Sequence, residues 1–441
     1  MNFSDAFQQT KHLVKFSPDG QYIASCCQYR LVIRDCKTLQ IINLQTCVDP
    51  VQVFSWSPDS LFLLCGMLKR GIVQVWSIEQ AQWRCKIDEG SAGLLAAHWT
   101  PDSRHILTTA EFQLRITLWS LSNKTVSYIK YPKLKSGFDF TSDGAFMALA
   151  ERRDCKDFVS LFDCEQWKLI RNFPVDTNDL AGLKWSPNDK VLCVWESSLD
   201  YRLLLYSIEG QCLAAYSAYE NALGIKTVVW SPTGQFLAVG SFDQKLRLLN
   251  HITWKPIVEC SHPSSIMDQD SVIVYKEIES KFATSGKTKS IAGTVFPIQS
   301  KYEPQELPFT VPSVKPNPEK PNPKLGVGLV KFSVDCTYIA TRNDNMPNTI
   351  WIWDMTKLKL VVILVQSCPV SDFKWDPLQP RLALCTGNNK LYLWSPAGCV
   401  SVTVPVDSNF TVDKLVWHSA GSALALVGTT HFCLCYVNNE V

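Results

Sequence analysis

The sequence predicts an all-β protein built from nine, or alternatively ten, repeated four-stranded blades, and three observations predict it. An aromatic residue followed by a turn tetrapeptide recurs at Phe16, Trp56, Trp99, Phe140, Trp185, Trp230, Phe332, Trp375 and Trp417. Successive copies stand 40 to 45 residues apart, the length of one four-stranded blade, save one interval of 102. After each turn come two short apolar runs of strand character, such as Phe236-Leu-Ala-Val-Gly240 and Leu246-Arg-Leu-Leu-Asn250.

Each element has a physical reason. In Ser17-Pro18-Asp19-Gly20 the proline presets the second turn position, aspartate suits the third and glycine tolerates the fourth, so the tetrapeptide closes a hairpin between the first and second strands. The aromatic before it is expected to fill the contact between neighbouring blades, because a residue repeated in every unit is core. Runs such as Ile350-Trp-Ile-Trp-Asp354 and Leu391-Tyr-Leu-Trp-Ser395 supply third strands. The last third strand, near Cys433 to Val437, leaves too little chain for a fourth, and residues 2 to 10 are expected to complete that blade.

The organisation read from these signals places blades one to six in residues 1–261 and blades seven to nine in 326–441. Residues 262–325 form an irregular insert or a degenerate tenth blade, with Ser271 to Tyr275 and Ser290 to Pro297 as its strands. The tail of that insert, KPNPEKPNPK at 315–324, is expected to be extended because alternate prolines favour the polyproline II conformation. Propellers typically carry four to eight blades, so the count predicts one wide ring or two smaller propellers.

Composition narrows the function. Forty-three Lys and Arg against 41 Asp and Glu leave a formal charge of +2, which makes nucleic acid and membrane surfaces poor default partners. The longest apolar run, Leu360 to Val365, is far short of a bilayer span, and the opening MNFSDAFQQTKH has no signal-peptide pattern. The 17 cysteines sit mostly in strand-like runs (Cys65, Cys193, Cys385, Cys433) with no C-x-x-C pair, so they read as reduced core residues of a cytosolic chain. The sequons at Asn2, Asn123 and Asn409 are then chance matches.

No catalytic, cofactor-binding or metal-ligating residue is expected. Ser285-Gly286-Lys287-Thr288 matches the end of a phosphate loop, but the required first glycine falls at Lys281 and no strand-to-helix context surrounds it. Seven histidines lack i, i+4 partners and zinc spacing, and no G-x-S-x-G elbow occurs. The short basic clusters Lys130, Lys133, Lys135 and Lys287, Lys289 read as solvated faces.

Insertions in a repeat protein mark its working face. Three units are longer between second and third strands, at Glu151 to Asp157, Glu196 to Arg202 and Arg342 to Asn348, and equivalent positions emerge on one face. Arg152, Arg153, Asp154, Asp200, Arg202, Arg342 and Asp344 are therefore the expected partner-binding residues, charged in both signs as a protein contact requires; the alternative is ordinary solvated turns.

Trp353-Asp354 is a WD dipeptide, and other units end in Arg34-Asp35, Trp76-Ser77 or Phe162-Asp163. With the aromatic-SPDG hairpins these endings make the chain resemble the WD-repeat β-propeller family along its length. No Gly-His pair occurs, so the family's Asp-His-Ser-Trp network is expected to be mostly missing. The opening FSPDGQYIASC and the Pro-rich interruption before FSVDCTYIATRNDN resemble the centrosomal and spindle-pole members in particular. That resemblance implies a scaffold of centrosomes and centriolar satellites that supports microtubule anchoring, spindle-pole organisation and cilium assembly. It also implies a coiled-coil microtubule-anchoring partner and a minus-end-directed kinesin. Wide propellers of the two-A type of translation initiation factor are similar too, which keeps a ribosome-associated reading open. A ubiquitin-ligase substrate receptor is a further alternative, weakened because Thr356 stands where that adaptor type has arginine, two positions after the WD pair.

Overall fold

A computed structural model describes residues 1–80, 82–267, 271–279, 300–317, 319–320, 322–406 and 410–437. The described chain is all-β, with three short 3-10 turns and nine blades of the propeller type. It divides into two compact units, one of residues 8–243 and 248–257, the other of residues 1–7, 244–247 and 258–441.

The first unit shows how the repeat builds a blade. Val14–Phe16, Tyr22–Cys27, Arg30–Asp35 and Ile41–Thr46 pair in sequence order as an antiparallel sheet. At the hairpin the Ser17 amide donates to the Tyr22 carbonyl at 2.8 Å and the Gly20 amide to the Ser17 carbonyl at 2.9 Å. Ser17 Oγ also accepts the Tyr22 N–H at 2.9 Å, so the serine locks the turn from inside.

The fourth turn position is left-handed in every repeat unit but that of Trp375, whether or not it is glycine: Gly20 has φ 74°, while Ser60, Ser103 and Asp189 have φ 63°, 57° and 59°. Hydrogen bonds to the preceding blade offset that strain. Ser60 Oγ accepts the Asp19 N–H at 3.1 Å, Ser103 Oγ the Asp59 N–H at 3.0 Å, and Asp189 Oδ1 the Ser142 N–H at 2.7 Å. Two of the repeat tryptophans act the same way between blades: Trp56 Nε1 donates to the Lys15 carbonyl and Trp99 Nε1 to the Ser55 carbonyl, both at 3.1 Å, whereas Nε1 of Trp185 and of Trp230 has no hydrogen-bond partner among the described residues.

In the second unit Trp375 Nε1 donates to the Lys331 carbonyl at 2.9 Å and Trp417 Nε1 to the Lys374 carbonyl at 3.2 Å. The last blade has three strands from the carboxyl end, Lys414–Trp417, Ala423–Val427 and His431–Tyr436, and the strand Asn2–Phe3 pairs beside the outermost of them. Asn2 lies opposite Tyr436 and Phe3 opposite Cys435. Leu434 clamps the next residue twice, its carbonyl accepting from the Ser4 amide and its amide donating to Ser4 Oγ, each at 2.9 Å.

No tenth blade forms among the described residues. Ile273–Glu279 and Ser300–Gln305 make a hairpin whose first strand adds in parallel to Lys359–Val365, extending the seventh blade to six strands. The outer strand of a blade is an unpaired edge, and this insert covers one. Buried Glu277 anchors it, accepting from Tyr392 Oη at 2.6 Å and from the Ser367 amide at 3.0 Å. The proposed strand at 290–297 and the phosphate-loop look-alike at Ser285 to Thr288, with Lys287 and Lys289, lie outside the described residues.

All 17 cysteines are free thiols. Buried Cys26 illustrates their setting: burial pushes its thiol up to about 12. Among the described residues no helix is long and apolar enough to cross a membrane.

Candidate interaction face

In the fourth blade the sequence suggests a loop at Glu151 to Asp157, but the structure makes a longer hairpin there. Phe146–Arg153 and Lys156–Asp163 pair to their ends, with Arg152 opposite Asp157 and Arg153 opposite Lys156. Asp154 and Cys155 alone turn the chain, at φ 48° and 60°. A hairpin can lengthen equally on both strands without changing register, so the extra residues become strand.

That extension puts Arg152 over a buried anion. Asp157, 1% exposed, accepts from Lys133 Nζ at 2.9 Å, Arg152 Nη1 at 3.1 Å, Thr177 Oγ1 at 3.0 Å and the Leu180 amide at 2.7 Å. Arg152 Nη1 continues to the Asn178 carbonyl at 3.2 Å and Lys133 Nζ to Asp179 Oδ1 at 2.8 Å. The ammonium of Lys133 beside it holds the Asp179 carboxyl below the usual aspartate range. Arg153 pairs with buried Glu151 and packs over the ring of Tyr131, 5.2 Å from its centroid.

The second loop is continuous with this cluster. Glu196, 1% exposed at the end of Val191–Glu196, accepts the Asp179 amide, and the Ser197 amide donates to the Asp179 carbonyl at 2.8 Å. Asp200 is exposed at the loop tip, and Arg202 reaches across to Asp176. Arg152, Arg153, Asp154, Asp200 and Arg202 thus stand along adjoining edges of the fourth and fifth blades. In the other unit Arg342 and Asp344 meet each other at 3.5 Å, and Arg342 Nη1 donates to the Val370 carbonyl at 2.8 Å.

Sequence reasoning selected the loop charges, of which Asp154 and Asp200 are exposed and the others half-buried, and missed the buried acids that hold Arg152 and Arg153. Asp157 and Glu196 carry a signal of a kind, a carboxylate abutting an apolar strand run, where burial demands partners. Another buried acid, Glu89, accepts from Trp119 Nε1 at 3.0 Å and Thr117 Oγ1 at 3.3 Å, with Arg115 Nη2 at 3.4 Å.

Comparison with known proteins follows the same lines. A family model described as WD domain, G-beta repeat matches residues 210–250. The chain is 55% identical over 447 residues to the WD repeat-containing protein WRAP73 of Mus musculus, spanning 100% of this chain and 96% of that protein. It is 23% identical over 452 residues to an uncharacterized WD repeat-containing protein of Schizosaccharomyces pombe, spanning 95% of this chain and 89% of that one. Among solved structures the C-terminal WD40 domain of Sif2 aligns with a TM-score of 0.54 over 99% of both chains at 12% identity, a likeness of fold alone.

Proposed function

This chain belongs to the WD-repeat protein family, and from that premise we propose that it is a non-catalytic interaction scaffold of the centrosome, spindle pole and centriolar satellites. Family membership carries the coarse reading, since such propellers typically act as scaffolds. The observation that supports docking on the loop face is the pre-ordering of its charges. Arg152 is held by buried Asp157, Arg153 by buried Glu151 and Arg202 by Asp176, so a partner would meet side chains already positioned.

The mixed signs favour a protein partner over a polyanion or a membrane. On this reading the partner is a coiled-coil microtubule-anchoring protein of the centrosome, whose charged flanks meet Arg152, Arg153, Asp154, Asp200 and Arg202; Arg342 and Asp344 are the partner-binding residues proposed for the other unit. A minus-end-directed kinesin joins the assembly, which serves microtubule anchoring, spindle-pole organisation and cilium assembly. A ribosome-associated role is disfavoured by the formal charge of +2. The ubiquitin-ligase reading is disfavoured at Thr356, whose hydroxyl bonds Asp354 at 2.6 Å and whose amide bonds it at 2.8 Å, closing the turn where that reading needs arginine.

The test is imaging of the tagged chain at native level through the cell cycle. Foci at centrosomes and mitotic poles, with satellites in interphase, are expected; a signal that follows ribosomes would overturn the assignment.

A further inference from the structure

The loop Glu196 to Arg202 and the connector after Cys212–Tyr216 enclose a cleft of about 430 Å³ on the fifth blade. Three acids line it, Glu196, Asp200 and Glu220, together with Tyr201, Tyr216 and Tyr219. The one cation among the lining residues, Arg202, is committed to Asp176.

Glu196 is the telling residue. One oxygen accepts the Asp179 amide, while Oε2, equally buried, has no hydrogen-bond partner among the described residues. A buried carboxylate oxygen without a donor is costly, and native structures seldom leave one without a reason. Burial accordingly holds the Glu196 carboxyl above its ordinary range, and the charge of Asp200 pushes the same way.

The aromatic wall points to the same ligand chemistry. Tyr201 stands edge-on to Tyr219 with centroids 4.8 Å apart and to Tyr216 at 6.0 Å. Rings fixed in this way offer π faces to a cation, and flanking carboxylates add direct charge attraction.

We propose that this cleft receives the cationic side chain of a basic residue, lysine or arginine, displayed by a protein partner. Its ammonium or guanidinium would supply the donor that Glu196 Oε2 lacks, with Asp200 and Glu220 at the mouth and the tyrosines around the aliphatic stem. This deepens the scaffold reading and rests on it only for the source of the side chain.

The experiment is calorimetric titration of the full chain with capped Gly-Arg-Gly and Gly-Lys-Gly at physiological salt, with capped Gly-citrulline-Gly as the neutral shape match for arginine. Saturable binding of the cationic peptides is expected, at least tenfold tighter than the citrulline peptide. Glu196→Gln and, independently, Tyr216→Ala should each weaken it about tenfold. Glu196→Gln keeps the acceptor for the Asp179 amide, and an unchanged melting curve would show that the fold is intact. No saturable binding, equal affinity for citrulline, or full affinity in both variants would overturn the proposal. Because these arms use peptides alone, the cleft stands if they succeed while the protein proves absent from centrosomes, and falls if they fail while it proves present.

Discussion

His262 and Thr341 stand 79 residues apart, yet His262 Nε2 lies 2.7 Å from Thr341 Oγ1. Trp353 Nε1 donates to the same oxygen at 3.1 Å. The Nδ1 atom of His262 lies 2.9 Å from the Gln244 carbonyl, which can only accept, so Nδ1 carries the proton and Nε2 accepts from the threonine hydroxyl. The histidine, hydroxyl and indole of the family network are therefore assembled in the seventh blade, with threonine in the place of serine.

Thr341→Val should remove the centre of that chain and leave a buried imidazole nitrogen and an indole N–H without partners. A loss of about 1–3 kcal/mol is expected, read as a lower denaturation midpoint in urea at unchanged slope. His262→Phe should lose less in the Thr341→Val background than in the parent, because both act on one network.

Asp157→Asn should be among the most damaging single changes in the fourth blade. It leaves the ammonium of Lys133, whose side chain is 7% exposed, without its buried counter-charge, for an expected cost of about 3–5 kcal/mol in thermal or chemical melts. Arg152→Glu, which on sequence alone is a harmless change at a loop tip, should also destabilise the fold, because it sets a second carboxylate against Asp157.

Acid should expose the Asp179 contribution. Its carboxyl titrates below the usual value in the folded chain, so its stabilisation is complete above the unfolded aspartate pKa of about 3.9 and is lost as pH falls through the depressed folded value. Asp179→Asn should flatten that part of the stability profile while costing less than about 1 kcal/mol at neutral pH, since the side chain is 56% exposed. Equal acid sensitivity in parent and variant would contradict this.

Removing residues 2–8 should strip the edge of the last blade. Asn2, Phe3 and Ser4 satisfy the backbone of His431–Tyr436, and Phe7 packs on Phe432 with centroids 5.4 Å apart. The truncated chain is expected to melt earlier and to associate as concentration rises, checked by scattering during a thermal ramp. A parent-like melt would show that the amino-terminal strand is dispensable.

The blades were legible because their signals are local. Ser17 to Gly20 specifies a turn within four residues, and Trp56 marks its own blade by size and period. The network in the seventh blade was not, since 79 positions separate His262 from Thr341 in the strand Tyr338–Asn343 that it serves, and no short motif spans such a gap. The added hairpin was hidden for a related reason: Ile273–Glu279 reads as a strand, but its parallel partner Lys359–Val365 is chosen by an open edge in space. At the interaction face the loop charges were visible as insertions. The unpaired Glu196 Oε2 and the tyrosines around it become visible only when Tyr216, Tyr219 and the loop at Tyr201 are folded together.

Docking of a centrosomal partner on the loop face is read by proximity labelling from the chain in living cells, comparing the parent with Asp200→Lys. Asp200 is exposed, so its reversal should move stability by no more than about 0.5 kcal/mol, while partner affinity falls by about 1–3 kcal/mol if the contact is buried. Centrosomal and satellite coiled-coil proteins are expected around the parent, and their depletion around the variant. Ribosomal neighbours around the parent, or an unchanged centrosomal set around the variant, would contradict such docking.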